Sequence, residues 1–94
     1  MRIEKKVQKE YFDAVADGRK RFEVRLADFE SKPGDTLVLK EQEQGTDKLT
    51  GRELDCEVLY KFNTKDIEKF YSKADIEKYG LAILALRKKY DFKK

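Results

Sequence analysis

The chain has 94 residues, enough for one domain with a small core, because a chain this short takes only roughly 60–65% of its unfolded surface out of water. Its 22 Lys and Arg nearly balance its 19 Asp and Glu, so this is not a polybasic tail protein, and any anion site must come from local clustering. Histidine is absent and Cys56 is alone, which excludes a Ser-His-Asp triad, a Cys-His dyad, a His-rich metal site and an internal disulfide; no cofactor or metal is implied.

In chain order, residues 2–8 are expected to form a short strand with Ile3 and Val7 on one face. Residues 9–17 read as a helix whose apolar stripe is Tyr11, Phe12 and Val15 with Ala14 and Ala16. Gly18 stands where a left-handed cap is wanted. Residues 20–26 alternate, with Phe22, Val24 and Leu26 opposite Arg21, Glu23 and Arg25, as a strand would. Lys32-Pro33-Gly34-Asp35 is a turn, with proline setting its first turned residue and glycine accepting the positive φ of the next.

Residues 36–42 follow as a strand with Leu37 and Leu39 inward, and residues 44–48 as a polar loop. Residues 52–62 keep Leu54, Cys56, Val58, Tyr60 and Phe62 on one parity, the longest run of period 2 in the chain. Cys56 lies in that apolar series and reads as core. With no signal peptide recognisable, a lone cysteine points to a reducing, cytoplasmic compartment. Residues 64–79 read as two short helices around Ser72, whose Tyr and Phe are expected to pack inward. Residues 81–86 are apolar on both faces, as in a strand buried mid-sheet. At six residues, this longest apolar run is too short to cross a bilayer. The last eight residues, from Arg87, hold five basic groups and one acid, either a solvated terminus or an accessory phosphate contact.

The stretch Gly18 to Arg25 carries a local charge of +3, four basic residues against one acid. Arginine offers a planar fork for phosphate, and glutamate accepts hydrogen bonds, for example from an exocyclic amine of a base. A Lys beside a Glu is held in place or has its pKa altered in a dry groove. Two readings follow for Lys20, Glu23 and Arg25: a salt-bridge network on a solvated strand face, or the lining of a groove for a small polar ligand with an anionic part.

Gly18-x-Lys20-x-x-Glu23-x-Arg25 matches the G-x-K-x-x-E-x-R pattern of ASCH domains, in the PUA-like group. The chain most resembles a small phage- and bacterium-associated family of that type, defined only as a domain of unknown function. The resemblance runs through Tyr11-Phe12-x-Ala14-Val15, Asp28, Gly34-Asp35-Thr36-Leu37 and Thr50-Gly51-Arg52-Glu53. It implies an α+β fold over 1–94: a small mixed PUA-like β-barrel of about five strands with flanking short helices, residues 63–79 being a helical extension between the last two strands.

It also implies a cleft lined by Lys20, Glu23 and Arg25, with Asp28 beside it and Thr50 and Arg52 near its rim, and RNA or a nucleotide as partner. The chain departs from the family at Ile3, where a His is usual, and after Arg25, where only Asp28 of the usual Lys-Asn-Asp-Arg remains. Some ASCH proteins are amidohydrolases on acetylated cytidine that use a Lys with a Thr three residues on and a separate Glu. Lys20 fits that motif, but Glu23 takes the Thr position, and Glu53 and Glu57 are candidates for the other acid. Three functions therefore stand in order: a nucleotide or RNA-binding module, a small hydrolase of modified nucleosides using Lys20 and Glu23, and a phage accessory domain that binds a protein through the aromatics of 60–79.

Overall fold

The computed structural model describes residues 1–87 and 89. Strand β1 (Arg2–Gln8) runs straight into helix α1 (Lys9–Ala16), and β2 (Thr36–Gln42) and β3 (Leu49–Glu57) follow. A 3₁₀ helix at Thr64–Lys69 and helix α2 (Lys73–Tyr79) come last. The sheet order is β1-β2-β3, with β1 parallel to β2 and β2 antiparallel to β3. The expected five-stranded barrel is therefore wrong: the fold is a small open three-stranded sheet with short helices.

Pairing fixes two faces. Ile3, Val7, Leu37, Leu39, Leu54 and Cys56 share the face that meets α1. Val7, Phe12 and Leu39 are its buried centre, with Val15, Leu37, Leu54 and Cys56 packed around them. Of the expected stripe of α1, Phe12 and Val15 are spent on the sheet, as a helix of eight residues needs for stability, whereas Tyr11 and Ala16 are exposed. The opposite face is polar, yet Val38 at its centre is fully buried. Ion pairs of Lys40 with Glu4 (3.1 Å) and Glu53 (3.6 Å), and of Arg2 with Asp55 (3.0 Å), join the three strands on that face.

Two expected strands are absent. Residues 20–26 alternate but join no ladder. They are held to the sheet by a side chain instead, Arg25 donating to the Lys6 carbonyl of β1 at 2.6 Å. Residues 81–86 are exposed and unpaired in backbone, with Leu84 and Leu86 about four-fifths open to solvent. Apolarity on both sides describes a central strand only where two neighbours exist to flank it, and that place is taken by β2.

The long alternating strand runs over 49–57 rather than 52–62, because at Val58 the chain leaves β2 to bond Gly34 and Asp35. The aromatics of 60–79 are also outside, not inside: Tyr60, Phe62, Phe70, Tyr71 and Tyr79 are all exposed. The two short helices do part at Ser72, whose hydroxyl accepts from the Asp75 N–H and caps α2. Among the described residues no helix is long and apolar enough to cross a membrane. Of the basic tail, residues 88 and 90–94 lie outside the described residues.

Candidate functional site

The segment that follows α1 is shaped by Gly18. Its φ of 83° lies in the left-handed region that glycine adopts without strain. The chain turns there, and the Lys20 N–H returns to the Ala14 carbonyl of α1 at 2.9 Å. Lys20 is thereby fixed against the helix, its ammonium 5.0 Å from the Phe22 ring and 5.9 Å from the Tyr11 ring. It donates to Glu23 Oε1 at 2.6 Å and to the Phe22 carbonyl at 3.0 Å. The other oxygen, Glu23 Oε2, accepts from Arg25 Nε at 2.7 Å. One carboxylate, only 16% exposed, is thus clamped between two cations.

This triad lines a cleft of about 630 Å³. The floor is the apolar end of the sheet, Ile3, Leu37, Leu39 and Cys56. One wall is the segment from Lys20 to Ser31 and the other is the segment from Glu57 to Asn63, and Lys61 ties them together by donating to the Ser31 carbonyl at 3.0 Å. Phe22, Phe29, Tyr60 and Phe62 bring rings to the walls. Burial in the floor pushes the Cys56 thiol pKa up, and the charges of Glu23 and Asp55 push it the same way.

A second cluster sits at the far end of the same sheet face. Glu41 of β2 is 3% exposed and accepts from Arg52 through both oxygens, Nε–Oε1 being 2.9 Å, and from the Thr50 hydroxyl at 2.6 Å. Arg52 also donates to Asp13 of α1 at 2.8 Å and lies over the Phe12 ring at 4.7 Å. The Arg52 fork, and after it the Thr50 hydroxyl, hold the Glu41 carboxyl down to about 2, and Glu41 and Asp13 raise the guanidinium in return. Bonds from Lys9 and Arg52 lower Asp13.

Of the residues singled out in the sequence, Lys20, Glu23 and Arg25 meet in one place. Thr50 and Arg52 meet each other but stand on Glu41, outside the residues that line the cleft, and Asp28 is exposed and outside that lining as well. Glu57 borders the cleft, whereas Glu53 faces away on the polar side with Lys40. Glu41 was the residue to find: its parity puts a carboxylate in line with Leu37 and Leu39 on the inward face, a placement that demands a buried partner.

The fold and site define a small open-sheet domain with a partly apolar cleft walled by a Lys-Glu-Arg triad. The chain belongs to the family described as Domain of unknown function (DUF3850), whose model matches residues 4–75. It is 42% identical over 55 residues to the uncharacterized 12.9 kDa protein in GpA 3'region of Escherichia phage P2. That alignment covers 58% of this chain and 49% of the phage protein, so the chain matches about half of its relative's length. No solved structure matches the chain.

Proposed function

We propose that this phage-related domain binds a nucleotide, free or as an unpaired unit of RNA, in the cleft beside Lys20, Glu23 and Arg25. The observation that carries this reading is the clamped carboxylate of Glu23 at the edge of an otherwise apolar floor. A flat base fits such a floor, where the rings of Phe22, Tyr60 and Phe62 offer stacking surface. Glu23 keeps free lone pairs for an exocyclic amine, and Arg25 keeps donors beyond those spent on Glu23 and Lys6. The triad is set by its own bonds before a ligand arrives, which lowers the ordering cost of binding. A cleft of this size also lies within the usual range for small-ligand sites.

The test is a titration of labelled backbone amides with nucleosides and with short single-stranded RNA. Shifts confined to 20–29 and 56–62, weakening with added salt, support the reading. Silence of those amides at low salt leaves the triad as a structural ion-pair network.

A second reading rests on a separate observation, the exposure of Tyr60, Phe70, Tyr71 and Tyr79. Aromatics on a surface are enriched where proteins meet, so this stretch suits contact with a protein partner. Replacing Phe70 and Tyr71 by Ser should then remove a reproducible pull-down partner without lowering the melting temperature.

A further inference from the structure

A second, shallower pocket of about 250 Å³ adjoins the cleft, lined by Gly18, Arg19, Arg21, Ala85, Leu86 and Arg87. Gly18 and Arg21 border both spaces, so the two adjoin across them. Among the described residues the lining holds three guanidinium groups and no carboxylate. Arg19 and Arg21 flank Lys20 in the chain, and each spends its Nε locally: Arg19 on Asp17 at 2.8 Å, Arg21 on the Gly18 carbonyl at 3.2 Å. Among the described residues the terminal nitrogens of both make no hydrogen bond, and those of Arg87 make none either. Asp17 offsets one of the three charges, which leaves the pocket with a local excess of two.

Three arginines drawn to one concavity repel each other unless water or an anion screens them. The guanidinium fork takes phosphate as well as carboxylate in parallel hydrogen bonds, and a phosphate group, with three free oxygens and more than one negative charge, suits three arginines better than a single carboxylate does. The terminal nitrogens left unbonded are the ones such a contact uses. The left-handed turn at Gly18 also matters, because it sends Lys20 into the cleft while Arg19 is carried to the outer pocket.

We propose that Arg19, Arg21 and Arg87 form a phosphate subsite of the cleft, so that the ligand is a phosphorylated nucleotide rather than a nucleoside. The proposal rests on the cleft reading for where the base lies, and adds the anchor for its phosphate. The base occupies the apolar floor beside Glu23, and the phosphate sits across Gly18, between the three arginines. Both a mononucleotide and the backbone of a single RNA strand carry this chemistry.

The test uses four probes on the full chain: inorganic pyrophosphate, a nucleoside, its 5′-monophosphate, and a short single-stranded RNA. Pyrophosphate alone should shift the Arg19, Arg21 and Arg87 amides and leave 56–62 unmoved. The monophosphate should shift both groups and bind about tenfold tighter than the nucleoside. Arg19→Gln combined with Arg87→Gln should erase that gain while the nucleoside binds as before. If the strand is the natural ligand, the double variant also lowers the salt slope of RNA binding by about 0.7 for each phosphate that no longer meets an arginine. An unchanged salt slope in a variant that has lost the monophosphate gain points to the free nucleotide, whereas a gain the variant retains overturns the subsite.

The two readings fail differently. A nucleoside that binds the cleft and gains nothing from its phosphate overturns the subsite and spares the cleft. Pyrophosphate that shifts the arginines while no nucleoside moves 56–62 overturns the cleft and leaves an anion site. Silence of the arginine amides towards both pyrophosphate and RNA at low salt overturns the subsite outright.

Discussion

Arg52 of β3 grips Glu41 of β2 through both carboxylate oxygens at the irregular step of the ladder, where the pairing shifts between Lys40 and Gln42. The bulge and the ion pair belong together. The extra residues lie in β3, where Thr50, Gly51 and Arg52 stand opposite Glu41 alone. They bring Thr50 and Arg52 to a carboxylate that the regular parity of β2 has already placed on the core face, Arg52 also reaching Asp13 and the Phe12 ring.

Glu41 makes acid stability predictable in sign. Its folded value of about 2 lies below its ordinary 4.5, so the unfolded chain binds the proton first as pH falls. The pair's contribution is complete above about 4.5 and is lost as pH drops towards 2. Thermal melts followed by circular dichroism should show stability falling through that window, and Glu41→Gln should flatten the fall. Asp13, Asp17 and Asp35 are lowered too, so the variant's curve keeps some slope.

Arg52→Ala should be the more damaging change at neutral pH, because it leaves a buried carboxylate with the Thr50 hydroxyl but no counter-charge, whereas Glu41→Gln leaves only a half-exposed guanidinium still paired with Asp13. The gap between the two variants should close near pH 3, where the orphaned Glu41 is protonated. Equal melting temperatures at pH 7 would contradict this account.

Phe12 is 3% exposed at the centre of a core with few members. Phe12→Ala should cost about 3–5 kcal/mol in urea denaturation, enough to unfold much of the population of so small a domain. Phe12→Leu should stay within roughly 1.5 kcal/mol.

Gly18→Ala meets no neighbouring atom, so its cost is backbone strain alone, about 1–2 kcal/mol for a side chain held at φ 83°. The same variant should weaken nucleotide binding more than its stability loss explains, since the turn aims Arg19 and Lys20. Binding measured well below the variant's melting temperature separates the two effects.

Cys56 reports on the cleft. Burial keeps its thiol protonated, so alkylation by iodoacetamide at pH 7.5 should be slower than in the urea-unfolded chain. A nucleotide in the cleft should slow it further. Arg25→Ala should abolish that protection, and because Arg25 also ties residues 20–26 to β1, the alkylation rate of the ligand-free variant separates lost binding from a loosened wall.

The chain by itself determined whatever depends on neighbours in sequence. Strand 2–8, the helix of 9–17 to within a residue, the Pro33-Gly34 turn, strand 36–42 and the break at Ser72 all follow from periodicity, turn chemistry or a cap. The nearness of Lys20, Glu23 and Arg25 also follows from local spacing. Tertiary structure decided which segments find a partner. Residues 20–26 and 81–86 carry strand patterns, yet a strand exists only where another offers its edge. The edge of β1 is met by the Arg25 side chain, and the middle of the sheet by β2. That β2, with Lys40 and Glu41, could be the buried strand was invisible in its composition. Its charges are neutralised by Glu4, Glu53 and Arg52, residues brought near only by folding.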